Sequence, residues 1–222
     1  MLSEEDAQEA SLREALASYF LYMPPLNMQS ALGRQHTARQ LGLLLSLEWR
    51  GLLRFAGRPR PLWEGDLTAL VRALTDAARE PMHTRGAALS VRLPACALPL
   101  GYEPRLLPLG ITLLLRLAAS TGRAEVRLLP YPGDATLHIA GAAPFSVGPF
   151  SDGLREIARL HGGRLLLTPH SAALSLSAQQ KAVGRAPLPT AELFSENPVS
   201  PFCLGFYALL SEDGSISAGP GS

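Results

Sequence analysis

Gly153-Leu-Arg-Glu-Ile-Ala-Arg-Leu-His-Gly-Gly-Arg-Leu165 puts Leu154, Ile157 and Ala158 at helical spacing and then runs into two glycines. That pattern predicts a short amphipathic helix over 151–160, stopped by Gly162-Gly163. Downstream, 164–168 and 172–177 read as the two strands of a closing hairpin. Upstream, 124–129 and 136–140 read as two more strands, joined at the turn Pro132-Gly-Asp134. Before them, 106–120 is apolar nearly all round, which implies a helix covered on several sides. Residues 88–93 alternate like a strand and end at Pro94. Asp66 is placed to cap a helix with Leu67, Leu70, Val71, Leu74, Ala78 and Met82 on one face, and Gly86 is placed to close it.

The order of these elements predicts a helical layer on one face of a mixed sheet. A helical arm precedes it. Ser3-Glu-Glu-Asp6 is a helix start with acids at the positive end of the dipole, and Leu12, Ala15, Leu16, Tyr19 and Phe20 follow at helical spacing. Pro24 and Pro25 break or kink that helix. A second helix is expected over 26–55, with Leu41, Leu44, Leu45, Trp49, Leu52 and Leu53 as a wide apolar stripe. Gly57-Arg-Pro-Arg-Pro61 reads as a linker. Three parts follow: an arm over 1–60, an α/β domain over 62–179, and a polar, proline-rich tail over 180–222. The tail is expected to be loosely ordered, with one apolar anchor at 201–210.

Of the 222 residues 47% are hydrophobic, enough for a packed core, and the net charge of +1 gives no bulk electrostatic case for nucleic acid or an anionic membrane. Cys96 and Cys203 are too few and too far apart for a disulfide framework or a metal site. No secretory signal or membrane span is visible, so a cytoplasmic location is expected, with no membrane insertion. No Gly-x-Ser-x-Gly elbow and no Gly-x-x-x-x-Gly-Lys loop is present, so neither a hydrolase nor a P-loop reading has support.

Over residues 12–178 this order resembles the core of bacterial sensor histidine kinases: a dimerisation and phosphotransfer hairpin, then a GHKL-type ATP-binding domain. The segment 153–165 resembles the helix and His-Gly-Gly turn after the family's second glycine box. Asp66-Leu-Thr-Ala-Leu-Val71 with Gly86-Ala-Ala-Leu-Ser-Val91 looks like the helix and strand that open the ATPase domain. Gly101-Tyr-Glu-Pro-Arg-Leu106 is similar to the acidic turn before the Asn-box helix. The class expected is α+β, a helical hairpin or arm followed by a mixed-sheet α/β sandwich of the histidine kinase ATPase type.

The resemblance also implies where the chemistry would lie. Overlaid on 105–121, the two Asn-box positions fall on Thr112 and Arg116, and Gly153 is, with Gly148, one of the only two glycines where the nucleotide lid would lie; Thr112, Arg116 and Gly153 are the candidate cofactor-binding residues for ATP and magnesium. Thr112 offers an oxygen, but Arg116 has no acceptor atom and carries a permanent positive charge, so it cannot ligate a cation. The aspartate that would accept the adenine amino group is replaced by Gly141 or Ala142. The segment 142–152 is short for a nucleotide lid. The phosphoacceptor position falls on Leu26, followed by Asn27 where an acid belongs. His36 is the only histidine of the arm and so the one phosphoacceptor candidate, although Thr37 follows it rather than an acid. His161 is expected to be structural, and His83, His138 and His170 show no ligand spacing, so no metal site is expected.

These losses imply a pseudokinase of two-component signalling. It would work as a homodimer, through the stripe in 26–55, or as a partner of a response regulator or histidine kinase, with no cofactor. The alternatives are a divergent phosphotransferase using His36 and an ATP-binding kinase with altered ligands.

Overall fold

A computed structural model describes residues 31–195, 197 and 200–207, with side chains from residue 41 onward. In chain order the elements are α1 (Ala31–Arg54), β1 (Leu62–Asp66), α2 (Leu67–Thr84), β2 (Ala88–Arg92), β3 (Pro99–Tyr102), α3 (Leu106–Ala119), β4 (Arg123–Tyr131) and β5 (Asp134–Gly141). They continue as a 3-10 turn (Gly148–Phe150), α4 (Ser151–Leu160), β6 (Leu165–Leu167), β7 (Ser171–Ser177), β8 (Ala182–Arg185), α5 (Ala191–Ser195) and α6 (Pro201–Tyr207). The Pro24-Pro25 break, Leu26, Asn27 and the first arm helix lie outside the described residues.

The main sheet has the order β2-β4-β5-β7-β6, with β2 parallel to β4 and the other pairs antiparallel. Alternation along its central strands sends one face inward. Val126, Ile139 and Ala172 stand in one row and Leu128, Leu137 and Leu174 in the next, all buried. Helices α2, α3 and α4 lie on that face. Asp66 caps α2 as its position suggests: one carboxylate oxygen accepts from the backbone N–H of Thr68 and of Leu98, each at 2.9 Å, which ties the helix start to the loop before β3.

The two motifs flanking α3 are fastened to each other. The Glu103 carboxylate accepts from the N–H groups of Arg105 and Leu106, donors that the helix start leaves without an internal partner. The Glu103 N–H in turn donates to His161 Nε2 at 3.0 Å. The other ring nitrogen, Nδ1, lies 2.6 Å from the Ile157 carbonyl, so it carries the proton. His161 is therefore a buried neutral imidazole bridging the turn before α3 and the end of α4.

Three findings depart from expectation. A second sheet, β3-β1-β8, was not foreseen. Its strands are four or five residues long, and β1 reads Leu-Trp-Glu-Gly-Asp, with no clean alternation to signal it. The tail contributes β8, α5 and α6, and α6 buries Phe202, Cys203, Leu204 and Phe206. The arm stripe is also used differently. Leu41, Leu45, Trp49 and Leu52 are buried inside this chain, against α4 and α6, rather than left for a second copy. Apolar spacing tells which face of a helix is covered but not what covers it.

Burial holds the His161 pKa below the ordinary histidine value, partly offset by the Ile157 hydrogen bond. The unfolded chain therefore takes up a proton below pH ~6.5 that the folded chain refuses. Stability is unaffected by this group above that pH and falls as pH drops below it, by up to ~1.4 kcal/mol per unit, until the depressed folded pKa is reached. Urea unfolding at pH 7.5 and 5.5 reads the loss, and His161→Gln should flatten the difference between the two.

Candidate functional site

The three candidate cofactor-binding residues fall on one side of the helical layer, the side turned away from the sheet. Thr112 sits in the middle of α3 and is fully buried. What lies over it is α6: a Cβ at Gly205 would come within 3.0 Å of Thr112 Cβ and Cγ2 and 3.3 Å of the Leu109 carbonyl, so only glycine lets the two helices meet there without displacement. The Thr112 hydroxyl finds no hydrogen-bond partner among the described residues.

One turn on, Arg116 is half-buried and its guanidinium carbon stands 6.0 Å from the centre of the Phe206 ring. Arg85, at the end of α2, stands 5.5 Å from the same ring. Two cations thus share one aromatic ring of α6, each in the range where the ring quadrupole attracts a cation. They line a cavity of about 350 Å³ with Met82, Ala119 and Ser120. Arg116 therefore brings a fixed positive charge and no lone pair to this cavity.

Gly153 lies in the first turn of α4, under Trp49 of the arm. A Cβ at Gly153 would overlap the indole ring, so the arm helix touches the backbone of α4. Trp49 also meets Phe150 edge to face at 5.3 Å. Two polar ties hold the arm in place. Arg105 pairs with Glu48 at 2.8 Å. The Gly57 N–H donates to Glu156 Oε1 at 2.9 Å, and Glu156 is itself clasped by both the Nε and Nη2 of Arg159. The Arg159 hydrogen bond, outweighing burial and aided by the Gly57 N–H, holds the Glu156 carboxyl below the usual range.

The strand end that would supply an adenine acceptor is also filled. At Gly141 a Cβ would approach Thr121 Oγ1 to 2.7 Å and Phe145 to 3.1 Å, so no aspartate side chain fits on this backbone. Ala142 beside it is exposed, and its N–H donates to Thr121 Oγ1. The 142–152 segment lies down on the sheet edge: the Phe145 N–H donates to the Pro169 carbonyl at 2.9 Å and Val147 is buried.

The structure brings Thr112, Arg116 and Gly153 under α1 and α6. His36 lies within α1 by its backbone, and its side chain is outside the described residues. His83 and His170 are exposed, and among the described residues no group of three histidines, cysteines or acids is placed to hold a metal ion. What the sequence does not signal is the covering: Gly205 and Phe206 read there only as part of the apolar anchor at 201–210. The signal present was a glycine inside an otherwise bulky helix, which marks a close approach without naming the neighbour.

Among solved structures, the chain is similar to the histidine kinase AdeS of Acinetobacter baumannii, with a TM-score of 0.51 and 13% identity over 81% of this chain and all of that one. The fold is that of a histidine kinase core. The cytoplasmic segment of the histidine kinase QseC matches with a TM-score of 0.49 and 16% identity, over 64% of this chain and 95% of that one. The ATP-binding domain of PrrB from Mycobacterium tuberculosis matches with a TM-score of 0.43 and 21% identity, over 55% of this chain and 100% of that one. No family model matches the chain, and no curated protein matches it in sequence.

The buried Thr112 hydroxyl, without a partner among the described residues, is a cost to stability. Thr112→Val replaces it with a methyl of the same shape and should raise stability by ~1 kcal/mol. Gly153→Ala should lower it by ~1–3 kcal/mol, because the new methyl overlaps the Trp49 ring. Denaturant midpoints of the two variants check both signs.

Proposed function

We propose that the chain is a non-catalytic histidine-kinase-like protein of two-component signalling, acting by binding rather than by phosphoryl transfer. The observation that supports it best is Arg116. At the position where the resemblance calls for a magnesium ligand stands a permanent cation, with its charge placed over Phe206 of the same chain. A magnesium ion at that spot would meet repulsion instead of a lone pair. The filled space at Gly141 points the same way.

The partners we propose are a second copy of the chain and a response regulator or histidine kinase. A cytoplasmic location belongs to the same proposal; among the described residues no helix is long and apolar enough to cross a membrane. With the inner stripe of α1 covered, a homodimer through the arm falls to its outer face, where Leu43 is 59% exposed and Leu53 39%.

Isothermal titration with ATP at millimolar concentration should give no saturable heat, with or without magnesium; metal-dependent saturable heat overturns the reading. For assembly, Leu43→Glu should dissociate the dimer while leaving the fold intact. Leu45→Glu should instead unfold the chain, since a carboxylate at this buried position costs several kcal/mol. Sedimentation and circular dichroism on both variants separate the two effects, and a wild type that sediments as a monomer at about 50 µM rules the dimer out.

A further inference from the structure

We propose that the groove where the arm runs into the α/β body is a binding site for a small organic carboxylate that also carries a hydroxyl or amino group. The groove holds about 470 Å³ and takes its walls from three parts of the chain: Glu48, Gly51 and Phe55 at the end of the arm, Arg58 and Arg60 in the linker, and Glu103 in the turn before α3. That volume suits a small molecule rather than a bare ion. The groove shares no residue with Thr112, Arg116 and Gly153, and the proposal does not depend on what those residues bind.

The linker Gly57-Arg-Pro-Arg-Pro61 builds it. Each arginine precedes a proline, a position pushed away from helical backbone toward the extended region. Two residues apart on extended chain, side chains share one side, and Arg58 and Arg60 both line the groove. The Arg58 N–H donates to the Phe55 carbonyl at 3.2 Å, and this turn sets the Arg58 guanidinium carbon 5.0 Å from the centre of the Phe55 ring. The Gly57 N–H is held by Glu156. The two guanidinium groups are thus placed before a ligand arrives, so binding costs less ordering.

The charges of the groove are unevenly spent. Among the described residues neither the Arg58 nor the Arg60 guanidinium makes a hydrogen bond or an ion pair. Arg60 stands near enough to Glu156 to help keep that carboxylate charged, but both Glu156 oxygens are already taken by Arg159 and the Gly57 N–H. Glu48 is paired with Arg105. Glu103 gives Oε2 to the N–H groups at the start of α3, which leaves Oε1 unused among the described residues. Two arginine forks therefore line the groove with their donors open, a match for the paired oxygens of a carboxylate. The open Glu103 oxygen selects the rest of the ligand. It repels a second negative charge, which disfavours phosphate, and it accepts from a hydroxyl or an ammonium group. The Phe55 ring supplies an apolar wall.

The full chain, labelled with nitrogen-15, is titrated with mandelate, with L-phenylalanine, with phenylacetate, which lacks the donor group, and with inorganic phosphate. We expect mandelate or L-phenylalanine to saturate the amide shifts of Gly51, Arg58 and Glu103 below about 10 mM, at least tenfold more tightly than phenylacetate or phosphate. Neither arginine is buried, so Arg58→Gln with Arg60→Gln keeps the fold, and the pair should weaken binding at least tenfold. Arg123→Gln removes an exposed arginine of β4 and should leave binding unchanged. No saturation by either acid overturns the proposal, and so does saturation that survives the double substitution. Equal weakening by Arg123→Gln means that the ligand senses net charge alone, and overturns it as well. Phosphate or phenylacetate bound as tightly as the two acids overturns the ligand class and the part given to Glu103.

Discussion

All of α3 except Arg116 and Leu117 is buried, and that single apolar helix sets the demand the rest of the structure meets. A helix with one apolar stripe needs one partner; a helix apolar on every side needs cover on every side. The sheet takes the inner face through Val126, Leu128, Leu137 and Ile139. Gly110 admits Ile157 from α4 on one flank, with a Cβ at that glycine only 3.1 Å from the Ile157 methyl. The outer face is left, and the chain covers it with α6. Each large side chain buried this way contributes about 1.5–3 kcal/mol, so leaving the face open would expose several such contributions at once.

Much of this was readable from the order of residues because the signals were local. The Asp66 cap, the all-round apolarity of α3, the Pro132-Gly133 turn and the Gly162-Gly163 stop each depend on a few adjacent residues and a backbone preference. Gly133 and Gly162 take positive φ, the region where a missing side chain matters. The missed elements share the opposite character. β1, β3 and β8 are held by pairing with distant segments, and Trp63 rests on Gly184 across β1 and β8, a contact that no short window contains.

The site divided along the same line. Thr112 and Arg116 come from laying the resemblance on the helix, and that an arginine has no atom to offer a metal follows from its chemistry alone. Their surroundings do not. Gly205 and Thr112 are far apart in sequence, and a glycine in a tail gives no hint that it lies on a particular threonine until the chain is folded. The arm failed in the same manner: Trp49 was assigned to an apolar stripe correctly, but its partner is Gly153 of the same chain.

The closure over α3 and the substitutions within it reinforce each other. Under α6, Thr112 is fully buried, so an asparagine there would carry two buried polar groups, against the one hydroxyl that threonine leaves without a partner among the described residues. The same holds at Arg116, where an uncharged amide would lose the attraction of the Phe206 ring. The helix also fixes the aromatic that makes the arginine favourable. Amide side chains at both positions would therefore destabilise the packed chain, and removing α6 alone would leave Arg116 without its ring and α3 with an uncovered face. Polar atoms on α3 and open space above it are two separate changes, and either one alone works against the packing that α3 requires.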